Sequence, residues 1–189
     1  MGFRQDQVVY IRQRLGAYDE LAKTHAGIDT EHFQIHQGRA FSMSHIAESA
    51  PGSSYLVQIN TGDKYMHLRH RSYSVQRGEW LLTMWEEPTT VTPGAIEVPI
   101  FNKDRNSPEI SSVEIFGGGS GLIGGTIINQ IYMNAGEQQQ SVGRELSSTE
   151  EEWILRPNST YIVEWERLAG SGQETITIAT RWFWYEIDA

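Results

Sequence analysis

The chain is 189 residues long, contains no cysteine and carries a formal net charge of −9. That length supports one core burying roughly 70% of the unfolded surface, and the lack of cysteine excludes disulfides, thiolate metal sites and cysteine nucleophiles, as suits a reducing cytoplasm. The acidic balance, with a pI near 5.1, argues against nucleic-acid binding, which depends on clustered lysine and arginine releasing counterions.

In chain order, the first segment is helical in pattern. Val8, Ile11, Leu15, Tyr18 and Ala22 recur at three- and four-residue intervals with Arg12, Arg14, Asp19 and Glu20 between them, interrupted by Gly16. The stretch 24–29, with Gly27, reads as the helix exit and a linker, so residues 1–29 are expected to form an arm apart from a domain of residues 30–189. A single short helix cannot hide its own apolar stripe, so it packs either on the body or on a neighbouring subunit. No apolar run reaches signal-peptide or membrane-spanning length, so neither export nor membrane insertion is expected, and Asn158-Ser159-Thr160 is a glycosylation sequon by chance.

From His32 the period changes to two. Phe33 and Ile35 alternate with His32, Gln34 and His36, a strand pattern. Further strands are predicted at 41–47, 55–60, 65–75, 79–85, 95–100, 112–116, 126–133, 151–156, 161–167 and 175–178. Turn signals separate them, among them Pro51-Gly52, Arg77-Gly78, Pro93-Gly94 and Asn134-Ala135-Gly136. Many short strands without intervening helices predict an all-β antiparallel sandwich of jelly-roll type, with roughly eight to ten strands. At the chain end, 181–187, alternation sends Trp182 and Trp184 to one face and Phe183, Tyr185 and Ile187 to the other, so both faces must be covered. This strand is either central or at a subunit boundary.

Several chemical signatures dissolve on inspection. Gly119-Ser120-Gly121-Leu122-Ile123-Gly124 matches a dinucleotide-binding expression, but Thr126-Ile127-Ile128 follows where the motif demands a helix; the glycines from Gly117 to Gly125 are expected instead to form a mobile surface loop or to let backbone approach a neighbouring subunit closely. On a strand His32 and His36 stand about 13 Å apart, too far to chelate one ion. The same spacing on a helix could chelate. The alternation favours the strand, so no metal is expected. In His67-Leu68-Arg69-His70-Arg71, alternation puts His67, Arg69 and Arg71 on one solvated face. Glu86-Glu87 and Glu150-Glu151-Glu152 read as acidic edges, since neighbouring carboxylates on a strand diverge and cannot flank one bond. No nucleophile-elbow sequence assembles a triad. Neither a catalytic residue nor a cofactor is expected.

Four segments, in order, carry a resemblance. They are His32-Phe33-Gln34-Ile35-His36-Gln37-Gly38-Arg39-Ala40-Phe41; Pro99-Ile100-Phe101-Asn102-Lys103-Asp104-Arg105-Asn106-Ser107; Leu155-Arg156-Pro157-Asn158-Ser159-Thr160-Tyr161; and Trp184-Tyr185-Glu186. Together they span roughly residues 30 to 187 and resemble a family of bacteriophage virion structural proteins. The resemblance implies a capsid decoration or cement protein, made in the host bacterial cytoplasm, that binds the major capsid protein on the outer surface of the assembled head. A head-fibre, tail or baseplate module recognising carbohydrate through Trp or Tyr is the alternative. The apolar stripe and the aromatic strand, with a coat lattice of local threefold axes, predict a homotrimer, with Val8, Ile11, Leu15, Tyr18, Trp182 and Trp184 at a subunit or capsid interface. Neither nucleic acid nor membrane is an expected partner.

Overall fold

The computed structural model describes residues 18–19, 24–25, 30–50, 52–135, 144–148, 152–168 and 174–189. It is an antiparallel β-sandwich with one short helix. In chain order the elements are β1 (Tyr18–Asp19), β2 (Thr24–His25), α1 (Thr30–His36), β3 (Ala40–Ser49), β4 (Ser54–Asn60), β5 (Lys64–Val75), β6 (Gly78–Glu86), β7 (Thr90–Thr92), β8 (Ile96–Glu97), β9 (Ile100–Asn102), β10 (Glu114–Ile123), β11 (Thr126–Ala135), β12 (Arg144–Ser148), β13 (Trp153–Leu155), β14 (Thr160–Arg167) and β15 (Ile176–Asp188).

One sheet runs β11-β6-β14-β4-β10-β7, with β8 also on β10; the other runs β12-β5-β15-β3-β9, with β13 also on β5. The topology is that of a long two-stranded ribbon folded over on itself. The early strands β3, β4, β5 and β6 pair with the late strands β15, β14, β12 with β13, and β11 respectively. The folded ribbon then joins along its middle through β5–β15 and β6–β14. Its strands form the two four-stranded rows β3-β15-β5-β12 and β4-β14-β6-β11, the order of a jelly roll. Strands β7 to β10 are an excursion at the closed end of the ribbon, widening one sheet through β10 and the other through β9.

Tryptophan dominates the space between the sheets. Trp80, Trp165, Trp182 and Trp184 are fully buried there with Phe41, Met43, Tyr73 and Tyr161. Trp165 meets both Tyr73 and Trp80 edge-on, at centroid separations of 5.6 and 6.3 Å, the geometry that the ring quadrupoles favour. The opposite face of β15 carries a second cluster, Phe183 and Tyr185 with Ala40, against which Ile35 of α1 packs. Both faces of the aromatic strand are therefore covered from within one chain.

Three expectations are corrected. The segment containing His32 and His36 is the helix α1, not a strand. It ends at Gly38 (φ +70°), with Arg39 N–H on Gln34 O at 3.0 Å and Gly38 N–H on Ile35 O at 2.9 Å, a Schellman cap. The glycine run is part of β10 rather than a loop. Gly117 lies against the His45–Tyr55 pair, where an added Cβ would sit 2.6 Å from the Tyr55 hydroxyl, and Gly94 lies against the Gly117 backbone, so the close approach is internal. At the N-terminus, Tyr18 belongs to a two-residue strand paired with His25 rather than to a helix. Val8, Ile11 and Leu15 lie outside the described residues.

Candidate functional site

The outer face of the six-stranded sheet bears a cleft of about 380 Å³ beside α1. Its floor comes from β3 (Ser42, Ser44) and β15 (Arg181, Phe183), and its walls from Arg69 and His70 of β5, Phe101 and Lys103 at the end of β9, and Glu31 of α1. The volume falls in the range of small-ligand sites.

A β-bulge brings Arg69 and His70 here together. In the β5–β15 ladder His70 faces Phe183 and Leu68 faces Trp184, which leaves Arg69 as the extra residue. A bulge breaks alternation and re-aims the side chains around it. Arg69 and His70 thus share the outer face, whereas Arg71 turns inward, 2% exposed, its guanidinium 4.2 Å from the centre of the Trp153 ring. The expectation that His67, Arg69 and Arg71 share a solvated face fails at that extra residue.

A turn built from its own side chains holds the third wall. Asn102 Oδ1 accepts Asp104 N–H at 2.9 Å and Asp104 Oδ1 accepts Asn106 N–H at 3.0 Å, while Asn102 Nδ2 donates to Gly38 O at 2.7 Å. These bonds present Lys103 to the cleft, its Nζ 5.6 Å from the centre of Phe183, and stack Arg105 at 5.7 Å over Phe101. In the lining Lys103 and Arg181 face the single carboxylate of Glu31, while Arg69 is paired with Glu152 behind it, so an acidic protein sets two basic side chains against one acid at a concave place. Low-dielectric walls focus such a field. An anionic group can pair with the cations while an apolar surface lies on Phe101.

Behind Arg69 stands a clamp around Glu152. It accepts hydrogen bonds from Arg69 Nη1 and from His67 Nδ1, both at 2.9 Å, and a short one from the Tyr185 hydroxyl. Burial opposes its ionisation, but these three donors outweigh burial and hold the carboxyl below the usual carboxylate range. Burial and the adjacent Glu152 carboxylate push the Tyr185 phenol far above its ordinary value. The clamp fixes the segment before β13 to the sheet and orients Arg69 at the cleft. Glu152 is exposed, as the expected edge requires, but it is paired and not a free acid. Glu86, partly exposed, is likewise paired: it accepts from the Tyr161 hydroxyl and Arg156 Nη2, each at 3.0 Å.

A second carboxylate serves as a joint. Glu186, 2% exposed, accepts from Ser111 Oγ (2.5 Å), Ser112 N–H (2.9 Å), Ser112 Oγ (2.7 Å) and Trp184 Nε1 (3.1 Å). Its donors tie the strand end to the loop before β10.

Of the residues expected at an interface, Trp182 and Trp184 are 0% exposed within a single chain. They offer no side-chain surface to a partner, and their assignment to an interface is withdrawn. Val8, Ile11 and Leu15 lie outside the described residues, as does the side chain of Tyr18. Alternation along the strands missed the cleft, because Arg69 and His70 depend on a bulge, and Lys103 and Arg181 come from a turn and a strand distant in the chain. Set against protein-family models, curated proteins and solved structures, the chain matches none of them.

Proposed function

We propose that this protein is a structural component of a bacteriophage particle, a decoration protein that binds the major capsid protein on the outer surface of the assembled head. What supports the reading is where the segments resembling virion proteins meet. Asn102 donates to Gly38 O, Lys103 N–H to Ala40 O at 2.8 Å and Glu186 N–H to Arg39 O at 2.9 Å, so three of the four segments form one joint. The fourth reaches it indirectly. Asn158 N–H bonds Gly62 O at 2.7 Å, Gly62 lies against Ser112, and Ser112 bonds Glu186. The resemblance thus rests on residues that hold a jelly roll together, which is what a structural rather than a catalytic family would have in common. Decoration acts by linkage: a protein that binds only the assembled lattice stabilises it in proportion to the logarithm of occupancy. With Trp182 and Trp184 in the core, association as a homotrimer and contact with the coat fall to the arm, through Val8, Ile11, Leu15 and Tyr18.

The test is to add purified protein to heads that lack it and to unassembled coat subunits. Saturable binding to heads alone, at a copy number comparable to that of the coat protein, is the expected result. Incorporation at only a few copies per particle would move the protein to a tail or fibre. Removal of residues 1–29 should leave a folded body that sediments as a monomer and binds heads more weakly; an intact trimer without the arm would place the contact elsewhere.

The cleft favours a second reading, a head-fibre, tail or baseplate module that binds an acidic carbohydrate, with carboxylates on Lys103 and Arg181 and a sugar face on Phe101. Binding of a hexuronate oligosaccharide by the wild type, lost in Lys103→Ala/Arg181→Ala, distinguishes it from decoration alone.

A further inference from the structure

The helix α1 brings together two imidazoles that a strand would have separated. His32 and His36 lie one turn apart, where side chains at i and i+4 share a face, and both are exposed. Their Nε2 atoms are 2.9 Å apart and their ring centroids 4.7 Å apart, with the planes inclined by 59°. Both rings aim the same nitrogen at the same point.

That separation is a coordination distance. With metal–nitrogen bonds of about 2.0–2.1 Å, nitrogens on adjacent corners of a square lie about 2.9 Å apart, and nitrogens on a tetrahedron about 3.3–3.4 Å apart. We propose that His32 and His36 chelate a divalent transition-metal ion of tetragonal preference, Cu(II) or Ni(II), on the exposed face of α1. Without the ion one Nε2–H donates to the other Nε2; with the ion bound, the donating ring carries its proton on Nδ1 and both Nε2 lone pairs face the metal. Among the described residues no third His, Cys, Asp or Glu completes a metal-binding group. The backbone under the pair is already fixed, by the Gly38 cap at its end and by Ile35 against Phe183 and Tyr185. Chelation therefore orders little besides the two side chains, which favours affinity.

The experiment titrates the full chain with Cu(II), followed by calorimetry and by electron paramagnetic resonance. The expected result is one equivalent bound with two nitrogen ligands. Loss of either ring should weaken this binding roughly 10²-fold, because the second imidazole then no longer closes a chelate. His32→Ala and His36→Ala are the variants, and His70→Ala, with its ring in the cleft, should bind as the wild type does. Should His36→Ala loosen the last turn of the helix, seen as a lower metal-free Tm, His32→Gln gives the same readout from the first turn. Wild-type affinity in His32→Ala or His32→Gln, or no uptake by the wild type at micromolar Cu(II), would overturn the proposal. Zn(II) displacing Ni(II) at equal concentrations would overturn the tetragonal preference.

Discussion

Glu186 is a buried carboxylate whose oxygens face four uncharged donors, an arrangement in which hydrogen bonds replace its lost hydration. Glu186→Ala leaves Ser111, Ser112 and the Trp184 indole without their acceptor and should cost about 3 kcal/mol or more, read from urea unfolding. His45 gives a pH dependence. It is 9% exposed, with its Nε2 2.7 Å from the Tyr55 hydroxyl, and burial lowers its pKa from the ordinary value. The unfolded chain therefore takes up this proton before the native state does. Its contribution to stability is complete above the unfolded value, near 6.5, and is lost as pH falls from there toward the folded value. Urea unfolding at about pH 7.5 and about pH 5.5 should show a fall in the wild type that is smaller in His45→Gln.

Among the elements, β10 and α1 show what the sequence conveys and where it stops. A run of glycines signals either freedom or closeness, and only the contacts decide between them. At Gly117 the answer is closeness: a side chain would run into Tyr55 and into His45 Nε2, 2.7 Å from an added Cβ. Gly117→Val should cost about 1–3 kcal/mol through overpacking, measured as a lowered urea midpoint with an unchanged m-value. In α1 the alternation of Phe33 and Ile35 covers five residues, too few to distinguish a strand from two turns of helix. The structure exposes Phe33 and buries Gln34, against the amphipathic pattern, so the hydrophobic period there was misleading. The usable signal was Gly38, a helix-terminating residue just before Ala40 starts β3. The bulge at Arg69 left no comparable mark, because nothing local in Leu68-Arg69-His70 differs from an ordinary strand; Trp184 and Phe183, over a hundred residues later, set that register.

Over the whole molecule, strand content and turns were legible and strand partners were not. Period two locates β4, β5, β6, β11 and β14 nearly to their ends, and it places Trp182 and Trp184 together on one face of β15. Which surface meets that face is a property of the folded ribbon, in which β15 lies between β3 and β5. The choice between a central strand and a subunit boundary was therefore open in the sequence and is closed by the packing. Trp184→Ala should lower stability by about 3–5 kcal/mol. Because the ring is buried within one chain, its unfolding midpoint should move as far at low protein concentration as at high. Such pairing of early with late strands also puts most contacts far apart in sequence, so refolding should be slow, in milliseconds to seconds or longer.

The adjacency of β3 and β15 has a mechanical side. Ala40 at the start of one strand sits opposite Tyr185 near the end of the other, and the Arg39 guanidinium lies 3.7 Å from the Asp188 carboxylate. Tension applied between residues 30 and 189 would therefore open the β3–β15 ladder one hydrogen bond at a time, as a zipper opens, instead of shearing many bonds at once. The molecule is therefore weakest against a load applied to its two chain ends.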